Sequence, residues 1–160
     1  MQHKLDDIDR RILSLLQRDA AQPVTEIADE VGLSQTPCWR RIQRLKEAGY
    51  IRAQVCLLDR QRVGLNAQIF AQVKLSAVGR SHLAEFSDAI RQFPEVLECF
   101  VLMGSVDFLL RIVAHDIEAY EHFFFEKLSR VPGVQEINSM VALSEIKSTT
   151  ELPLTAYTRD

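Results

Sequence analysis

The sequence contains no apolar run long enough to span a bilayer, and its start, MQHKLDDIDRR, lacks the apolar segment of a secretory leader. These absences set aside a membrane partner and export, so a cytoplasmic location is expected. Cysteine is scarce and odd in number: Cys38, Cys56 and Cys99 form no CxxC, and each falls in an apolar pattern. Buried, reduced thiols are therefore expected, not disulfides or a metal site. The four histidines are scattered, with no pair at the close helical spacing of a zinc site. There is no glycine run to cradle a phosphate, no paired carboxylates and no nucleophile motif, so catalysis is not expected and no cofactor is implied.

The charge present is unevenly placed. The net charge is -3, yet residues 1–62 hold eleven Lys/Arg against nine Asp/Glu, and residues 63–160 hold eight against thirteen. Between residues 34 and 62, Arg40, Arg41, Arg44, Lys46, Arg52, Arg60 and Arg62 face only Glu47 and Asp59. A basic segment on an acidic chain points to a directed polyanion contact, with a solvated charged face as the plainer alternative. With 47% hydrophobic residues, 160 residues can bury one generous core or two small ones.

Leu5, Ile8, Ile12, Leu15 and Leu16 recur at helical spacing behind Asp6, Asp7 and Asp9, predicting a first helix that ends near Asp19. VTEIADEVG predicts a short second helix closed by Gly32, with Ile27, Ala28 and Val31 inward. Ser34 is placed to cap a third helix, Pro37 falls in its first turn and Gly49 ends it. Two helices joined by so short a glycine-containing turn match a helix-turn-helix. YIRAQVCLLD alternates as a strand would, and RQRVGLN reads as a hinge.

The second half reads as strand, helix, two strands around a GSVD turn, helix, strand. Its helices carry Leu83, Phe86, Ile90 and Phe93, then Ile117, Tyr120, Phe124 and Leu128. FPEVLE and VPGVQE each end a helix and open a strand, which makes two successive β-α-β units of the ferredoxin-like kind. The fold class is thus α+β: a three-helix helix-turn-helix domain plus a βαββαβ domain. The boundaries are 1–58 for the first domain, 59–66 for the hinge, 67–147 for the second domain and 148–160 for a loose tail. Its strands are apolar at both alternations, so the sheet face away from the helices needs cover, and a homodimer is expected.

On the third helix Cys38, Ile42 and Leu45 share one narrow face, and Thr36, Arg40, Gln43, Arg44 and Glu47 the opposite one. Arginine forks can contact guanine edges and glutamine can bond adenine, so Arg40, Gln43 and Arg44 are candidate readers of double-stranded DNA. Ser34, Gln35 and Thr36 at the helix start suit a backbone phosphate. Arg52, Arg60 and Arg62 are expected to meet phosphates non-specifically. Trp39 flanks the core stripe as a packing residue or a phosphate donor.

With these residues in view, the chain resembles the Lrp/AsnC family of feast/famine regulators over almost its whole length. The resemblance is carried by LDDIDRRILSLLQRD, EIADEVGLS, CWRRIQRLKEAGYI with LLDRQRVGL, FPEVLECFVLMGSVDFLLRI and VPGVQEINSMVALSEIKSTTELPL. It implies a winged helix-turn-helix joined to an effector-binding domain, dimers that assemble further, often to octamers, and regulation of transcription modulated by an amino acid. By position it implies effector contacts at Gly104, Ser105 and Asp107 in the MGSVDF turn and at Asn138, Ser139 and Met140 in the last strand. In this turn Ser105 and Val106 stand where the family commonly has Glu and Tyr. The residues alone also allow GSVD to be a plain β-turn held by Asp107. A thiol-responsive regulator and a mainly architectural DNA-binding protein are the alternatives.

Overall fold

The computed structural model describes residues 4–81 and 83–154, and it divides into two compact units. The first comprises Met1–Leu57 together with Lys147–Asp160, and the second is Leu58–Ile146.

In the first unit, helix α1 (Asp7–Arg18) starts on a reciprocal box in which Asp6 accepts from the Asp9 N–H and Asp9 accepts from the Asp6 N–H. Helix α2 (Val24–Val31) stops because Gly32 takes the left-handed conformation at φ 74°, letting the Leu33 N–H bond back to the Ala28 carbonyl. Helix α3 (Gln35–Glu47) follows after a three-residue turn. Ser34 occupies the cap position, although its side chain makes no capping bond. Ile12, Leu13, Ile27, Ala28, Val31, Cys38, Ile42 and Leu45 form one buried cluster, onto which Leu154 also packs.

The second unit is a four-stranded antiparallel sheet in the order β2-β3-β1-β4, built from β1 (Ala67–Leu75), β2 (Val96–Val101), β3 (Phe108–Ala114) and β4 (Val134–Val141). This is the expected ferredoxin-like order. The helices are α4 (Ala77–Ser81), α5 (Leu83–Arg91) and α6 (Ile117–Glu126), with a short 3-10 turn at Leu128–Arg130. Ile69, Ala71, Val73 and Leu75 of β1 are buried with Phe86 and Ile90 of α5 and Tyr120 and Phe123 of α6, so one sheet face carries the helices. Phe70, Gln72 and Lys74 belong to the opposite face.

Several expectations need correction. No strand forms across residues 51–59, where a wing was expected, and Val55, Leu57 and Leu58 are exposed. A single extended segment has no ladder unless another strand lies beside it. Ile117 and Leu83 are about half exposed, and Phe123 takes the inward place in α6. Cys38 is buried as expected, but Cys56 and Cys99 are exposed. The tail is not loose throughout, because Glu151 and Leu152 are bonded to α1 and Leu154 packs on the buried cluster.

Candidate functional site

The third helix presents the faces that its periodicity predicts. Cys38, Ile42 and Leu45 are buried, which leaves Gln35, Thr36, Trp39 and Arg40 exposed and Gln43 partly so. Ser34 and Arg52 are exposed as well. Trp39 keeps 51% of its surface in solvent, so packing accounts for only part of the ring.

Arg44 differs from Arg40. Its Nη2 lies 3.1 and 3.2 Å from the two oxygens of Asp9, a residue wholly removed from solvent. Arg41 Nη1 reaches the same carboxylate at 2.8 Å and Asp6 at 2.6 Å. Two of the cations of α3 thus fasten that helix to α1. The bond to Asp6 and the bond to Asp9 raise the Arg41 pKa, so its charge is permanent. Asp9, read from the sequence as one of three acids at a helix start, is the residue that reading missed. The signal was there: Asp9 lies one turn from Leu5 and from Leu13, on the core-facing stripe.

Arg60 is also engaged elsewhere. Its Nη1 donates to the carbonyls of Leu65 and Asn66 at 2.7 and 2.9 Å, which closes the turn that precedes β1. Arg62 remains largely exposed, 3.4 Å from Asp59.

In the second unit the six expected effector residues split between two places. The register pairs Gln72 with Asn138, Ala71 with Ser139 and Phe70 with Met140. Directly opposed residues share a face, so Asn138 and Met140 lie on the open face and Ser139 on the helix face. There the Ser139 Oγ pairs with the Tyr120 hydroxyl at 2.5 Å. Burial raises the Tyr120 pKa, and the Ser139 bond opposes that only in part.

The turn between β2 and β3 is knitted to the end of β1. Asp107 Oδ2 accepts from the Leu75 N–H at 2.7 Å, the Asp107 N–H donates to the Val73 carbonyl, and the Leu102 N–H donates to the Asp107 carbonyl. The local role for Asp107 therefore exists in the fold. Gly104 and Ser105 are exposed, and a Cβ built on Gly104 would meet no atom within 4 Å. Beside this corner, the open face carries Phe100 and Met140, 51% and 42% exposed, and an ion pair of Arg111 with Glu98 at 2.7 Å.

Among the described residues no cluster of His, Cys, Asp and Glu could hold a metal, and no helix is long and apolar enough to cross a membrane. Cys99 is exposed, yet the partial desolvation of its thiol raises its pKa, the opposite of what an activated thiol needs.

Residues 5–46 match the AsnC-type helix-turn-helix domain, and residues 68–152 match the Lrp/AsnC ligand binding domain. The DNA-binding transcriptional activator DecR of Escherichia coli K12 is 35% identical over 150 residues, covering 94% of this chain and 99% of that one. A transcriptional regulator of Neisseria meningitidis, solved as a complex with L-Met, superposes with a TM-score of 0.91 at 37% identity, covering 96% and 99% of the two chains. An AsnC family regulator from Agrobacterium tumefaciens gives a TM-score of 0.89 at 41% identity, covering 94% and 97%. An exposed basic helix on a helix-turn-helix, a ferredoxin-like second unit and this agreement along the chain lead to one assignment: the protein belongs to the Lrp/AsnC family of transcriptional regulators.

Proposed function

We propose that α3 reads double-stranded DNA in the major groove through Arg40 and Gln43, with Ser34, Gln35 and Thr36 at its start and Arg52 beyond its end on backbone phosphates. The observation that carries this is the division of α3, whose buried stripe leaves Arg40 facing solvent. Arg44 adds to the contact from its place beside Asp9, where 44% of its side chain is still exposed. The DNA is bound by a homodimer formed across the open sheet face, where Phe70, Phe100, Leu109 and Met140 supply apolar surface, and dimers assemble further, to an octamer. The protein works in the cytoplasm and is not an enzyme.

The effector in this reading is an amino acid. The L-Met complex of the Neisseria relative supports that class. Gly104, Ser105 and Asp107 offer an exposed turn with a carboxylate for an α-ammonium group, and Asn138 and Met140 add open-face surface. Ser139, on the helix face beside Tyr120, fits as support for β4. Calorimetry against the twenty amino acids, with anisotropy titrations of selected DNA, tests both halves separately. Heat from one or a few amino acids and a shift in DNA affinity are expected. No heat from any would remove the effector half and leave the DNA half standing, and uniform coating of DNA in footprints would favour the architectural alternative.

A further inference from the structure

The last described residues return to the first unit and are held there in a defined way. The Gln17 side-chain amide makes two bonds to one residue: its Oε1 accepts from the Leu152 N–H at 2.8 Å and its Nε2 donates to the Leu152 carbonyl at 2.9 Å. That pairing reads backbone in the manner of a neighbouring strand. Arg18 Nε meets Glu151 Oε1 at 2.7 Å, Pro153 restricts the next φ angle, and Leu154 packs against the buried cluster of α1, α2 and α3. A space of about 240 Å³ remains between this segment and Arg11, Ser14, Leu15 and Arg18, so the tail lies in a groove it does not fill.

The same segment is continuous with β4, which ends at Val141 and leads through residues 142–150 to Glu151. The chain therefore passes between the two units twice, once near residue 58 and once near residue 146. A unit attached by one short linker samples many orientations, and a second attachment removes most of them. The attachment at α1 consists of exposed polar bonds and one leucine, so it is releasable.

We propose that residues 151–154 are a second, releasable tether that fixes the orientation of the DNA-binding unit and thereby sets the spacing of half-sites the protein accepts. The proposal rests on the dimer reading above and not on the effector reading. With the tether closed, the two recognition helices of a dimer keep one separation, and DNA with the wrong spacing costs affinity. With it open, each unit docks on its own half-site whatever the spacing.

The test uses the full chain and two-half-site duplexes selected from a random pool with wild-type protein, then lengthened by about half a helical turn, roughly five base pairs. Wild type is expected to lose about tenfold in affinity on the lengthened duplex. Gln17→Ala combined with Glu151→Arg is expected to bind both duplexes within about twofold of each other, with single-half-site affinity unchanged. Arg18→Glu added to Glu151→Arg restores the charge pair and is expected to restore the spacing preference of the Glu151→Arg chain. Equal spacing preference in wild type and the Gln17→Ala, Glu151→Arg variant would overturn the proposal. So would a wild type indifferent to spacing, and light scattering then tells whether the dimer reading has fallen with it.

Discussion

Asp9 is fully removed from solvent on α1 and holds the Arg41 guanidinium of α3 at 2.8 Å. A carboxylate costs several kcal/mol to bury, and a guanidinium pair with good geometry offsets that cost. Among the described residues Asp9 is paired with Arg41, whose side chain is 25% exposed, and with Arg44, 44% exposed. The helix offered to DNA is thus set against α1 by two of its own arginines, of which Arg44 reaches further into solvent.

Removing the acid should be expensive. Asp9→Ala takes the shared carboxylate from Arg41, which keeps Asp6, and from the partly exposed Arg44, and is expected to cost about 2–3 kcal/mol of unfolding free energy, the range for losing charged hydrogen bonds. Urea titration followed by circular dichroism measures it, and a loss under about 1 kcal/mol would show that water replaces the carboxylate without penalty.

Arg40 and Arg44 should separate. Arg40→Ala is expected to leave stability within about 0.5 kcal/mol of wild type while weakening specific DNA binding by about 1–3 kcal/mol. Arg44→Ala is expected to lower stability as well, by about 1–3 kcal/mol, because it strips a charged bond from Asp9. Anisotropy titrations beside thermal melts decide the matter. Equal stability of the two variants would mean that Arg44 belongs to the solvent face alone.

Most of the fold was legible because it depends on local signals. Periodicity located α1, α2 and α3, Gly32 and Gly49 marked two of their ends, and the paired proline-valine segments marked where β2 and β4 begin. What was not legible depends on partners distant in sequence. By sequence Asp9 is one of three helix-start acids, and its partner Arg41 lies thirty-two residues on. Gln17 gave no sign of Leu152, and alternation in residues 51–59 promised a strand that no neighbour completes. The effector residues were placed by resemblance along the chain, and a resemblance does not reveal that Ser139 faces Tyr120 while Asn138 and Met140 face away.

Acid should loosen both units through different carboxylates. For Asp6, burial pushes the pKa up, but the Asp9 N–H bond and the Arg41 guanidinium outweigh it and leave the group below its ordinary 3.8. The Arg111 bond holds Glu98 below its ordinary 4.5 against a smaller effect of burial. A depressed carboxylate contributes stability above its unfolded pKa and loses it as pH falls through its folded one. Melting temperature should therefore be flat in these terms above about pH 6 and fall below about pH 5. Asp6→Asn and Glu98→Gln should each flatten part of that fall, and an unchanged acid slope in both would refute the assignment.

Gly79→Ala offers a test whose sign is opposite to helix propensity. Within α4, alanine should be worth about 1 kcal/mol more than glycine. A Cβ at residue 79 would stand 2.4 Å from the Gly133 carbonyl oxygen and 2.7 Å from its Cα, and both are backbone that cannot swing aside. Gly133 is itself at φ 84° and bonds the Ser76 N–H through that carbonyl. The expected outcome is destabilisation by about 1–3 kcal/mol, visible as a lower melting temperature. Stabilisation would mean that the two backbones part easily.

Asp107 can be asked to separate its two roles. The bond it accepts from the Leu75 N–H needs only an acceptor oxygen, which asparagine also has. Asp107→Asn should therefore keep stability within about 1 kcal/mol, whereas Asp107→Ala strands that N–H at the end of β1 and should cost about 1–3 kcal/mol. Attraction for an α-ammonium group needs the negative charge, and only the aspartate supplies it. If the turn receives an amino acid there, calorimetry should show binding abolished in the folded Asn variant. Undiminished binding by Asp107→Asn would assign the residue to the corner of the sheet alone, with the ammonium group held elsewhere.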